Sequence, residues 1–135
     1  MVDRNAPSSA DIVIVGGAVI GSSVAYHLAN DPHFKGRVVV IEKDPTYKYS
    51  ASALSAASIR QQFSTSVNIR ISLYGIDFLR HIGEHLEVDG EKPAIDLHEG
   101  GYLYLATDAG REILKSNHAC YNRKYGINFI IVSFE

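Results

Sequence analysis

The stretch DIVIVGGAVIG at residues 11–21 leaves this chain few ways to fold. Ile12 to Val15 is a continuous β-branched run, the pattern of a strand buried on both faces of a parallel sheet. Two glycines end it at once. From Val19 to Ala29 the spacing becomes helical, with Val24, Leu28 and the small residues Gly21 and Ala25 recurring on one side. Asn30-Asp31-Pro32 stops that helix. Val38 to Ile41 is a second strand of the buried type, ending in Glu42 and broken by Asp44-Pro45. Strand, glycine turn, helix and strand make a βαβ unit.

The turn carries a chemistry of its own. Gly16 permits a tight bend, and Gly21 lets the helix pack closely on the strand. The helix amino terminus then offers free N–H groups and a partial positive charge to a pyrophosphate. The middle glycine of G-x-G-x-x-G is replaced by Ala18, whose methyl costs some clearance, and Gly17 relieves the turn. Glu42 lies 21 residues after Gly21, where a carboxylate accepts both hydroxyls of an adenosine ribose. It would repel a 2′-phosphate, which disfavours NADP. The expected cofactor-binding stretches are therefore Gly16, Gly17, Ala18, Val19, Ile20 and Gly21, with Glu42 and Lys43 opposite. FAD and NAD satisfy this pattern equally, and the competing reading is a unit whose glycines serve packing alone.

The rest of the chain reads as ordinary globular protein. Its 135 residues are 46% apolar and 21% charged, enough for one domain with a core. A net charge of −2, with no Lys/Arg run, gives no reason to expect nucleic acid or an anionic membrane as partner. Cys120 is the only cysteine, so neither an internal disulfide nor a cysteine-based zinc site is expected. The first ten residues hold no apolar stretch of the secretory kind, and Ile12 to Ile20 is too short to span a bilayer. A cytoplasmic protein is the expectation.

After a small, hydroxyl-rich run at 50–58, Ser64-Thr65-Ser66 offers helix caps. A long amphipathic helix follows, with Val67, Ile71, Tyr74, Phe78, Ile82 and Leu86 as its apolar stripe. Asp89-Gly90 is a turn. Strands are expected at Ile95–Leu97, Tyr102–Ala106 and Phe129–Val132. A helix over 109–124 is expected to be capped by Thr107 or Asp108 and stopped by Gly126.

Three blocks in order, "VIVGGAVIGSSVAYHL", "VVVIEKD" and "SALSAASIRQQFS", followed by "GGYLYLATD" at 100–108, resemble the amino terminus of the D-amino acid oxidase and sarcosine/dimethylglycine oxidoreductase family. The similarity covers residues 11–132. It implies an α/β, Rossmann-type FAD-binding domain, incomplete here and occupying residues 1–88. The start of an α+β substrate domain would follow at 89–135. It implies oxidation at the C–N bond of a small-molecule amine or amino acid, with FAD as cofactor. Carried over, Gly16, Gly17, Ala18 and Gly21 face the pyrophosphate, Glu42 holds the ribose, and Ser52 and Ser55 line the path toward the flavin. Arg60 would lie near the flavin and meet a substrate carboxylate; an exposed ion pair or helix-flanking charge is the alternative. Some relatives attach FAD through a histidine in the small-residue run. No histidine lies between Ile41 and Leu79, so non-covalent FAD is expected at this end of the chain. No catalytic acid or base is assigned and no protein partner is implied.

Other candidates read as bland. His81 and His85 stand four apart, but the segment is not H-E-x-x-H and no third ligand suggests itself. Tyr102 and Tyr104 alternate with Leu103 and Leu105 as in a strand, and Ser22 and Ser23 lie in no nucleophile elbow.

Overall fold

The computed structural model describes residues 7–125. The strand expected at Phe129–Val132 and the stop at Gly126 lie outside the described residues. The chain divides into two compact units, Met1–Ser58 and Ile59–Glu135.

The first unit is the βαβ arrangement. Strand β1 (Ile12–Val15) leads into helix α1 (Val19–Asn30), which returns the chain to strand β2 (Val38–Ile41). The two strands pair in parallel, with Ile12 opposite Val38 and Val15 opposite Ile41. At the open end, the Arg37 carbonyl accepts from the Asp11 and Ile12 amides, and the Asp11 carboxylate accepts from Arg37 N–H at 2.6 Å. At the other end, Gly16 N–H donates to the Ile41 carbonyl at 2.7 Å. Helix α1 ends where Asp31 leaves helical geometry, its N–H bonded to the Leu28 carbonyl and its Oδ1 accepting from His33 N–H at 2.8 Å.

Two expectations need correction here. The strands are not buried on both faces. Ile12 and Ile14 are half-buried, while Val13 and Val15 are 52% and 85% exposed. A parallel sheet is covered on both sides only when crossover helices lie on both, and α1 covers one. On α1 itself Gly21, Ala25 and Leu28 are half-buried as expected, but Val24 is exposed.

The second unit holds α2 (Ser66–Arg80), α3 (Ile82–His85) and α4 (Asp108–Tyr125). The expected long helix is interrupted at His81, which closes α2 and starts the short α3. Its stripe is covered only in its second half: Phe78, Ile82 and Leu86 are half-buried, whereas Val67, Ile71 and Tyr74 are exposed. The row of Ile69, 1% exposed, with half-buried Leu73, Ile76 and Leu79 lies inward instead. Both rows satisfy helical spacing, so periodicity alone does not choose between them. Asp89-Gly90 forms the expected turn, with both residues at positive φ and Val88 and Glu91 exchanging backbone hydrogen bonds across it.

No strand forms at Ile95–Leu97 or Tyr102–Ala106 among the described residues. Alternating side chains make a strand only when a neighbouring backbone completes the ladder, and no backbone among the described residues is paired with them. Instead Pro93, Ala94, Ile95 and Leu97 line an open groove with Leu79, Ile82 and Gly83. Glu99 takes a fork of two hydrogen bonds from Arg80, at 2.8 and 2.6 Å. No helix among the described residues is long and apolar enough to cross a membrane.

A methyl at position 21 would stand 1.8 Å from the Gly16 carbonyl oxygen, whereas one at Gly75, inside α2, would meet nothing within 4 Å. Gly21→Ala is therefore expected to destabilise the first unit by about 3 kcal/mol or more, and Gly75→Ala to stabilise α2 by about 1 kcal/mol. Urea unfolding followed by circular dichroism reads both signs.

Candidate functional site

The glycine turn is built as its spacing requires. Gly16 adopts φ +97°, a conformation open to glycine and strained for other residues, and a Cβ placed there would point into open space. Gly21 packs against the Gly16 carbonyl and the Ile14 side chain, so the start of α1 rests directly on the end of β1. Ala18 is the amino-terminal cap, in extended geometry and without a side-chain hydrogen bond. The first helical bond runs from Ser22 N–H to the Ala18 carbonyl at 2.9 Å. The amides of Ala18, Val19, Ile20 and Gly21 have no protein acceptor among the described residues. Such orphan donors at a 12-residue helix present an anion with hydrogen bonds and the positive end of the helix dipole. The Val19 and Ile20 side chains stand exposed beside them.

Glu42 lies across this turn. Its Oε2 accepts from Gly17 N–H at 2.7 Å and its Oε1 from Asp44 N–H at 2.9 Å. The amides of Asp44, Gly17 and Lys43, in that order, hold its carboxyl below the usual glutamate range. An ionised carboxylate has about four acceptor sites. Two are used by the backbone, and those remaining suit a pair of sugar hydroxyls. Gly17 itself is buried, and its amide is committed to Glu42 rather than free for a diphosphate. Its carbonyl accepts from the Ser22 hydroxyl. The donors without an acceptor among the described residues are thus the amides that follow it. The Lys43 side chain stands exposed next to the carboxylate.

Ser52 and Ser55 lie in the same unit, in a turn over 50–55, and bond locally. Ser52 Oγ is 3.2 Å from Ser50 Oγ, and Ser55 Oγ donates to the Ser52 carbonyl at 2.8 Å. Arg60 belongs to the second unit. It is exposed, donates to the Tyr104 hydroxyl at 3.1 Å and lies 4.9 Å from the Phe63 ring centre. Its remaining N–H groups leave a two-point grip on a carboxylate chemically open. His81 and His85 turn to different partners: His81 Nδ1 meets the Asp77 carbonyl, and His85 stacks on Phe78 at 4.5 Å. Among the described residues no group of three His, Cys, Asp or Glu side chains is placed to hold a metal.

Three contributors escaped the sequence reading. The Ser22 hydroxyl ties the helix to Gly17, the Asp44 amide grips Glu42, and Tyr47 lies over Gly17. Only Asp44 carried a signal: Asp-Pro-Thr after a strand marks a side-chain-stabilised turn, and Asp44 Oδ1 accepts from Thr46 N–H and hydroxyl.

A family profile described as "FAD dependent oxidoreductase" matches residues 11–134. A Xenopus laevis protein named FAD-dependent oxidoreductase domain-containing protein 1 is 47% identical over 115 residues, 83% of this chain and 23% of the relative. The Bos taurus protein of the same name is 43% identical, over 82% of this chain and 24% of its own length. A Drosophila melanogaster homologue is 39% identical, over 83% of this chain and 21% of its own. The chain thus spans about a quarter of the curated relatives it matches. No solved structure matches it.

Because the folded state favours the charged form of Glu42, its contribution to stability is present above the ordinary glutamate range. It is lost as pH falls through the folded value, which lies below the ordinary glutamate range. The Gly17 and Asp44 amide proton shifts, followed by NMR on acidification, are expected to titrate together with that midpoint. Glu42→Gln is expected to abolish the transition.

Proposed function

The chain belongs to the FAD dependent oxidoreductase family, and from that premise we propose that it forms the adenosine-binding part of an enzyme oxidising the C–N bond of an amine or amino acid. The observation that carries the binding half of this reading is the Glu42 carboxylate, 2.7 Å from Gly17 N–H, the amide directly before those at the start of α1 that have no acceptor among the described residues. A ribose diol and a diphosphate need acceptors and donors in that order.

In this reading the amides of Ala18 to Gly21 hold the diphosphate, and Glu42 accepts from the ribose hydroxyls through its unused lone pairs. The negative charges of Glu42 and Asp44 oppose a 2′-phosphate. Ser52 and Ser55 border the extension toward the flavin, and Arg60 orients a substrate carboxylate. Residues 1–88 form the first part of a Rossmann-type FAD-binding domain, and residues 89–135 begin a substrate domain. Attachment is non-covalent at this end, where the 42–78 stretch lacks histidine. FAD held there would supply a hydride acceptor for the C–H bond beside the substrate nitrogen, giving an imine that water would hydrolyse. The protein's part is orientation and electrostatics, for which no acid or base is required.

The 135-residue chain is expected to bind FAD weakly and without turnover. Flavin fluorescence titration should show saturable binding, at least tenfold weaker in Glu42→Ala, and added amines should not bleach the flavin. Saturable binding of NAD with none of FAD would reverse the cofactor assignment. For the C–N assignment, a protein of the relatives' full length should be bleached anaerobically by amines or amino acids. Bleaching by alcohols alone would overturn it.

A further inference from the structure

Tyr47 is a tyrosine in an unusual place. Its backbone has φ +55°, a left-handed conformation that a bulky side chain rarely adopts. The loop imposes it from both sides. Tyr47 N–H donates to the Asp44 carbonyl at 3.0 Å, and the Tyr47 carbonyl accepts from Ser50 N–H at 3.0 Å. Asp44 is itself fixed by its bonds to Thr46 and by its amide on Glu42. The result turns the phenol back over the glycine turn, where its oxygen lies 3.2 Å from the point a Cβ on Gly17 would occupy. The Glu42 Cβ is 3.5 Å from that same point.

The hydroxyl has no hydrogen-bond partner among the described residues, and the residue is 42% exposed. Its neighbours do not share this arrangement: Lys48 lies over the Tyr49 ring, 5.4 Å from its centre. A phenol buried for packing normally finds a partner for its O–H. This one stands with its oxygen over Gly17, the residue whose amide is bonded to the Glu42 carboxylate, and is held by a backbone geometry that costs energy.

We propose that Tyr47 is a further nucleotide-binding residue, its O–H donating to the sugar–phosphate junction of the adenine nucleotide. The inference rests on the glycine turn being the nucleotide site. A neutral donor there complements Glu42, which only accepts. It adds a hydrogen bond to an anionic group without adding a charge, and places an aromatic edge beside the adenosine.

The test is a titration of the 135-residue chain with ADP, followed by amide NMR shifts, for wild type and Tyr47→Phe. The substitution removes one half-exposed oxygen and leaves the ring and backbone in place, which the unchanged Gly17 amide shift verifies. For wild type, the amides of residues 16–21 and 47 are expected to move. For Tyr47→Phe, the same amides move with affinity about tenfold weaker. Equal affinity in the two proteins overturns the proposal and leaves the site standing. Tighter binding by Tyr47→Phe also overturns it, since the phenol would then be an obstruction. A wild-type chain whose amides ignore ADP overturns both the proposal and the site.

Discussion

The α carbon of Gly21 sits so close to the Gly16 carbonyl that no side chain fits between them. That contact brings the first turn of α1 down onto the end of β1. It therefore decides where the unpartnered amides point and how the chain returns to lay β2 parallel to β1. Glu42 follows β2 and reaches back to Gly17, closing a ring of backbone and carboxylate around the turn. A larger residue at position 21 would lift the helix and separate donors from acceptor. The close packing is thus a condition for any binding there, besides its effect on stability.

The legible parts of the sequence were those where local chemistry and tertiary structure agree. Both strands of the first unit fall where their β-branched runs place them, and α1 begins at Val19 as its spacing indicates. Glu42 lands beside the turn because strand, helix and strand lengths leave it nowhere else. The failures share a cause. Residues 102–106 have strand-like alternation, but alternation does not supply a hydrogen-bonding neighbour. The stripe through Val67, Ile71 and Tyr74 has the right period, yet the parallel row through Ile69 is the one that is covered. In both cases the answer lies in what stands opposite, which a local pattern does not contain. The commitment of the Gly17 amide to Glu42 was illegible for the same reason, being a contact across 25 residues.

The outer face of the sheet presents Val13, Val15 and Ile41 to water. In the second unit only Ile69 and Tyr121 are buried among the described residues. Parallel sheets are found covered on both sides. The relatives carry this segment in 23% of their length, so they have ample further chain for such a covering. The chain supplies the turn and its carboxylate, while much of its apolar surface is left exposed among the described residues.

Glu42 accepts from two backbone amides, that of Gly17 in the turn and that of Asp44 after β2. Those two bonds tie the end of β2 to the glycine turn and fix the direction of the carboxylate. Under the nucleotide reading proposed above, a carboxylate already held in this way needs little further ordering on binding, so little entropy is charged against affinity at that moment.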